Sequence, residues 1–252
     1  DIRLITVGGS CDYTDTINLA GRIATIPGIL SEGGARNVAR RDGMGTVMLE
    51  AAVFMKRMPD DYFQAIGSGT GGIAAWEASL RLRDDGRFGP MLPRLHLAQN
   101  IPFTPMLNAW KEGRRDIIPE RDMPNAKKNI AEMYSDVLSN RSPPYGIRGG
   151  VYDAMKDTDG LMYGITEKEA VYAKKLFEEM EGIDILPPAA VAVAALLQAS
   201  EKGVLSGRRV LLNITGGGYE RLRRDMRLYP VPPYLKIPTP DMSLEEIAEA
   251  IR

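Results

Sequence analysis

The chain has one cysteine, Cys11, and one histidine, His96, in 252 residues. A lone thiol excludes an internal disulfide and suits a reducing, cytoplasmic compartment. One thiol and one imidazole far apart in sequence make neither a zinc set nor a Cys–His dyad, so no metal is expected. No G-x-S-x-G run is present, which excludes a hydrolase elbow. No Lys-Ser or Lys-Thr follows a glycine loop, which excludes a Walker A site. Charge of one sign is also missing: the formal net charge is −1. Without a basic field the chain has no electrostatic footprint for nucleic acid or an anionic membrane. The longest apolar stretch, residues 183–197, is too short and too broken by proline to span a bilayer.

What is present is a globular composition, 44% hydrophobic and 26% charged, sufficient for one large domain or one and a half smaller ones. Two glycine-rich turns stand out, GSGTGG at 67–72 and NITGGG at 213–218. Each follows a short apolar run that reads as a buried strand, and the first opens a helix. A glycine-lined turn from strand to helix directs several backbone N–H groups at one point, where the helix N-terminus adds partial positive charge. That chemistry suits an anion, most often a phosphate. The second turn places a hydroxyl, Thr215, at a strand end, and its three glycines permit close approach of a flat ligand. Two such turns suit a phosphorylated cofactor held at both ends.

Strand and helix signals alternate along the chain. Strands are expected over 3–8, 62–67, 93–98, 162–166 and 208–215. Helices are expected over 12–25 (N-capped by Asp12), 44–58, the segment IAAWEASLRLR after the first glycine turn, near 125–138, 166–180, 187–203 and 241–252. Thr166 with Glu169 and Ser243 with Glu246 are spaced as capping boxes. In 44–58 the helical spacing groups Met44, Val47, Met48, Ala51 and Met55 on one face. Residues 187–203 are apolar nearly all round, as a buried helix is. This alternation predicts a parallel sheet covered by helices on both faces, an α/β class. A boundary falls near 28–36, so residues 1–31 are expected to be the end of a small domain and 32–252 a large one. The chain opens on Asp1 directly into a strand-like run, and is expected to continue a longer N-terminal part.

GSGTGG also fits the dinucleotide template through Gly67, Gly69 and Gly72. That template requires an acid at the end of the next strand, and the next strand ends in Gln99 and Asn100. Asp84 and Asp85 precede it. Arg36, Arg40 and Arg41 sit beside glycines just before a helix, and arginine matches phosphate or carboxylate geometry. The charged clusters at 81–87 and 221–227 read as surface. His96, between two leucines in a strand, reads as structural.

The order of these motifs resembles a known family. CDYTDTINLA, then GGARNVARRDGMGTVMLEAAV, then GSGTGG, then NITGGG is similar to the threonine synthase family of fold type II, the tryptophan synthase β-like pyridoxal-phosphate enzymes. The likeness runs along nearly the whole chain. LHLAQNIPFTPMLNAW at 95–110 is most similar to the branch that forms L-cysteate for coenzyme M in archaea. The resemblance implies that Gly67, Ser68, Gly69, Thr70, Gly71 and Gly72 bind the phosphate of pyridoxal 5'-phosphate. It implies that Thr215 bonds the pyridine nitrogen, and that Arg40, with Arg36 and Arg41 as fallbacks, meets a substrate phosphate. It implies β-replacement on O-phospho-L-serine by sulfite, in a homo-oligomer, with small molecules and neither nucleic acid nor membrane as partners. The family's usual TGHG-like run with Lys-Asp-Pro is here TGGGYERLRRD, which argues against threonine as product. None of the ten lysines sits in the context of the family's cofactor-bearing lysine, which is expected upstream, leaving this chain alone inactive. Three alternatives remain: threonine synthase acting on O-phosphohomoserine, a non-catalytic module that binds a phosphometabolite and, weaker for want of the acid, a nicotinamide oxidoreductase.

Overall fold

The alternating signals form two separate parallel sheets in the computed structural model, which describes residues 2–251. In chain order the elements are β1 (Leu4–Val7), α1 (Tyr13–Ile23), α2 (Val38–Met55), β2 (Asp61–Ala65), α3 (Thr70–Asp85), β3 (Arg94–Asn100), α4 (Pro105–Lys111), α5 (Pro119–Asp122), α6 (Ala126–Ala131), α7 (Val151–Asp157), β4 (Leu161–Ile165), α8 (Glu167–Glu181), α9 (Pro187–Glu201), β5 (Val210–Leu212), α10 (Tyr219–Asp225), β6 (Pro233–Ile237) and α11 (Leu244–Ile251).

The smaller unit combines the chain up to Gly33 with the chain from Leu222 onward. β1 pairs in parallel with β6, Ile5 opposite Leu235 and Val7 opposite Ile237. Leu19 of α1, Ile237 and Ile247 of α11 form its buried core. Asp12 caps α1 through the N–H groups of Thr14 and Asp15, and Asp15 returns a bond to the Asp12 N–H. The sequence pattern alone puts 32–252 in one domain. The structure instead returns residues 222 onward to the N-terminal unit, because the apolar alternation of β6 is buried against β1 and α11.

The larger unit, Gly34–Arg221, holds a four-stranded parallel sheet in the order β4-β3-β2-β5. Alternate side chains face opposite layers, as the strand period requires. Tyr62, Leu95 and Leu97 join the core formed with α2, α3 and α7. Phe63, Ala65, Ala98 and Tyr163 join the core formed with α9. α9 starts with two prolines at positions that need no N–H, and its alanines and valines are small enough to lie flat on the sheet. Thr166 and Glu169 form the capping box of α8.

Three local expectations change. α2 begins at Val38, with Asn37 as N-cap, and buries Gly45, Met48 and Ala52, whereas Met44 and Val47 are exposed. A Cβ on Gly45 would lie 3.2 Å from Ala74 O and Ala78 Cβ of α3, so the inward stripe follows the residue that permits close helix packing. The proline-rich stretch 100–146 contains α4, α5 and α6 rather than one helix, each broken within two turns. β5 ends at Leu212, three residues before Thr215.

The chain order β2, β3, β4 runs across the sheet one way, and β5 then lies on the other side of β2. The strand order therefore reverses between β2 and β5. In open parallel sheets, ligands bind outside the carboxyl ends of the strands at such a switch point. Both glycine turns leave the carboxyl ends of these two strands.

Candidate cofactor site

The first turn starts where the Ile66 N–H makes a last bond to Ala98 O. Gly69 has φ 82°, a left-handed conformation, and is the N-cap of α3 with no side-chain bond to the cap. Neighbours press on each glycine. A Cβ on Gly67 would be 3.0 Å from the Leu138 backbone, and one on Gly72 3.1 Å from the Leu97 methyls. On Gly69 it would overlap Val151, and on Gly71 the Gln64 amide. The Cα sides are thus filled by the protein, and the N–H groups are what the turn presents. The Thr70 N–H is 3.3 Å from Ser68 Oγ, which is 2.9 Å from Thr70 Oγ1. The N–H groups of Gly67, Ser68, Gly69, Gly71 and Gly72 find no acceptor among the described residues. Unpartnered amides at the start of a 16-residue helix attract an anion, with the helix term alone contributing about 0.3–1 kcal/mol at exposed sites.

The second turn is built differently. Asn213 N–H bonds Phe63 O at 3.0 Å, after which the segment 184–186 takes hold. Leu186 N–H bonds Gly216 O at 2.9 Å and Gly218 N–H bonds Asp184 O at 2.8 Å. The Asp184 carboxylate then accepts the N–H groups of Tyr219 and Glu220 at the start of α10. A Cβ on Gly216 would be 2.8 Å from Leu186 Cδ1, and one on Gly217 would overlap Asp184 O. The Cβ directions of these two glycines are thus taken by the 184–186 segment, through the Leu186 side chain at Gly216 and the Asp184 carbonyl at Gly217. Thr215 is exposed, and its hydroxyl has no partner among the described residues.

The three arginines separate. Arg41 donates to Glu77 of α3 at 2.8 Å and to Ala35 O at 2.5 Å, so its guanidinium already ties the 34–36 turn to α3. Arg36 and Arg40 are exposed. The lysines nearest well-formed partners are likewise engaged, Lys174 with Glu178 at 2.5 Å and Lys202 over the Tyr163 ring at 5.8 Å. His96 is fully buried between Asp61 and Tyr163, with Asp61 at the opposite, amino end of β2. It has no part in the glycine turns.

Sequence reasoning missed Tyr62, Gln64 and Asn213, three hydrogen-bonded side chains between the two turns. The available signal was a glutamine inside an apolar strand run, and an asparagine two residues before Thr215.

The family described as pyridoxal-phosphate dependent enzyme matches residues 2–216. The chain belongs to that family. It is 76% identical over 250 residues to cysteate synthase of Methanocella arvoryzae, covering 99% of this chain and 60% of that protein. It is 62% identical over 247 residues to cysteate synthase of Methanosarcina barkeri, covering 98% and 59%. The chain thus spans about 60% of the length of these curated relatives. Serine racemase from Dictyostelium discoideum matches with a TM-score of 0.51 at 22% identity, over 70% of this chain and 49% of that one. Serine racemase from maize matches at 0.50 and 16%, over 73% and 52%. The fold is that of the fold type II pyridoxal-phosphate enzymes.

The family's cofactor carries a phosphate and a pyridine ring. The free amides of 67–72 suit the first and the unpartnered Thr215 hydroxyl suits the second, so the residues present fit the group. No helix among the described residues is long and apolar enough to cross a membrane.

Proposed function

We propose that this chain holds pyridoxal phosphate between its two glycine turns and belongs to an enzyme that converts O-phospho-L-serine and sulfite into L-cysteate and phosphate. The observation that carries the reading is the position of the turns, on adjacent strand ends that flank the reversal of strand order. The high identity to proteins named cysteate synthase supports the choice of reaction.

The amides of Gly67–Gly72 bind the cofactor phosphate, and the α3 N-terminus adds to their pull. Thr215 bonds the ring nitrogen. A hydroxyl there, unlike a carboxylate, does not hold a proton on that nitrogen. The cofactor supplies an electron sink for the pair released at the substrate α-carbon. A neutral partner keeps that sink modest, which favours loss of a β-substituent. In the net reaction the β-carbon–oxygen bond breaks, phosphate departs, and sulfite sulfur bonds the same carbon. Arg40 is the side chain we assign to the substrate phosphate, with Arg36 the next choice. Arg41 is the weakest of the three because Glu77 already holds it. No lysine of this chain is assigned to the cofactor. We also expect a homo-oligomer in the cytoplasm.

The test is phosphate release by the full-length protein from O-phospho-L-serine, with and without sulfite. Sulfite-dependent release with L-cysteate as product supports the reading. Release from O-phosphohomoserine with threonine as product overturns it.

A further inference from the structure

Beyond Phe63 and Leu212 the β2–β5 ladder stops, and one backbone bond, Asn213 N–H to Phe63 O, is all that continues it. Past that point no backbone bond joins the two turns among the described residues. A line of three side chains spans the gap on the α3 face of the sheet. Asn213 Nδ2 donates to the Tyr62 hydroxyl at 2.8 Å, and that hydroxyl donates to Gln64 Oε1 at 2.7 Å. Tyr62 is 1% exposed and Gln64 7%. The Gln64 amide lies directly against Gly71, closer than any Cβ there would allow. The line therefore begins two residues before Thr215 and ends under the first turn of α3.

The bond directions follow from the amide atoms that face the Tyr62 hydroxyl, Oε1 of Gln64 and Nδ2 of Asn213. Only the amide oxygen of Gln64 can take the Tyr62 proton, and the Tyr62 oxygen is left to accept from Asn213. Tyr62 keeps its proton, because burial raises its pKa further than the Asn213 bond lowers it. The layer around it is apolar, with Ile66, Leu95, Leu97 and Met155 in the same core. A buried polar line in such a layer is costly if any member is lost, and mutually reinforced when complete.

We propose that Gln64 is a positioning residue for the cofactor site. Acting with Tyr62 and Asn213, it holds the phosphate-binding turn and the Thr215 turn at the spacing of one cofactor. This rests on the function proposed above. Breaking the line anywhere should loosen both turns together, so the members should act as one unit.

The experiment titrates full-length apoenzyme with pyridoxal phosphate and records the 31P resonance of the bound phosphate, for the wild type, Tyr62→Phe, Gln64→Leu and the double variant. Asn213→Asp, half-buried at the other end of the line, serves where a buried variant does not fold. Each single variant should weaken cofactor binding about tenfold and shift or broaden the phosphate resonance, and the double variant should lose little more than either single. Unchanged affinity and an unchanged resonance in folded variants would overturn the inference and leave the function reading intact, as would fully additive losses or a fall in apoenzyme stability alone. A wild type that binds no pyridoxal phosphate overturns the function reading itself, and this inference with it.

Discussion

The Nε2 of His96 lies 2.8 Å from Oδ1 of Asp61, and both side chains are fully buried. Arg208 donates to the same carboxylate at 2.5 and 3.1 Å, and the Tyr163 hydroxyl is 2.7 Å from His96 Nδ1. The line joins β4, β3 and β2 to the loop residue Arg208, two positions before β5. Burial lowers the imidazole pKa by more than the Asp61 carboxylate raises it, so His96 is neutral. Burial would raise the Asp61 pKa, but the bonds from His96 and Arg208 outweigh it and hold the carboxyl ionised, below its ordinary value. Nε2 therefore carries the proton given to Asp61, and Nδ1 accepts from Tyr163, whose pKa burial pushes up to about 12.

A pH dependence of stability follows. Unfolded, His96 takes up a proton as pH falls through its ordinary 6.5; folded, it does so only at lower pH. The native state therefore loses stability from 6.5 downward to the folded pKa. Asp61 acts in the same direction, its contribution being full above 3.8 and lost as pH falls through its lower folded value. As His96 is the sole histidine, the first window belongs to it. Urea midpoints should fall between about pH 7 and pH 5. A midpoint that stays level across that interval contradicts the neutral, buried imidazole.

Gly69 and Gly86 have nearly the same backbone, φ 82° and 81°, but different surroundings. Nothing lies within 4 Å of a Cβ on Gly86, while Val151 occupies that place at Gly69. Gly86→Ala should cost about 1–2 kcal/mol, the penalty for a left-handed alanine. Gly69→Ala should cost more, through Val151, and should also weaken pyridoxal phosphate binding. Equal losses in urea unfolding would mean that Val151 yields freely.

Arg40 and Arg41 are adjacent but should fail differently. Arg41→Ala breaks the part-buried pair with Glu77 and should lower stability by about 1 kcal/mol while leaving KM for the phospho-amino acid near the wild-type value. Arg40→Ala should raise that KM about tenfold or more. The reverse pattern would move the substrate role to Arg41.

Thr215→Val removes a hydroxyl that no described residue uses. The melting temperature of the apoprotein should stay within a degree or so, because exposed substitutions of this kind change stability by about 0.5 kcal/mol or less. The absorbance of bound cofactor and the rate of phosphate release should both change. If neither moves, the ring-nitrogen role is wrong.

Much of this architecture was legible in the sequence because periodicity and punctuation agreed. Asp12, the Thr166–Glu169 box and the two prolines of α9 mark helix starts where the structure has them. The first glycine turn was readable because only glycine serves both the left-handed Gly69 and the contact at Gly71. Features set by distant parts of the chain were not readable. The pairing of β6 with β1 joins segments more than 220 residues apart. The inward stripe of α2 depends on where α3 lies. The packing of the 184–186 segment against Gly216 and Gly217 was not readable, because the two segments are not adjacent in sequence. Gln64 and Asn213 each left a signal, but their connection through Tyr62 exists only once β5 lies beside β2.

In the proposed site the amides of the first turn receive the cofactor phosphate while the second turn receives the ring. Residue-resolved amide hydrogen exchange on the full-length protein, with and without pyridoxal phosphate, tests it most directly. The amides of Gly67–Gly72 should slow strongly when the cofactor binds, with Thr215 and its neighbours slowing alongside them. Saturating cofactor that leaves the 67–72 amides exchanging as freely as before would contradict it.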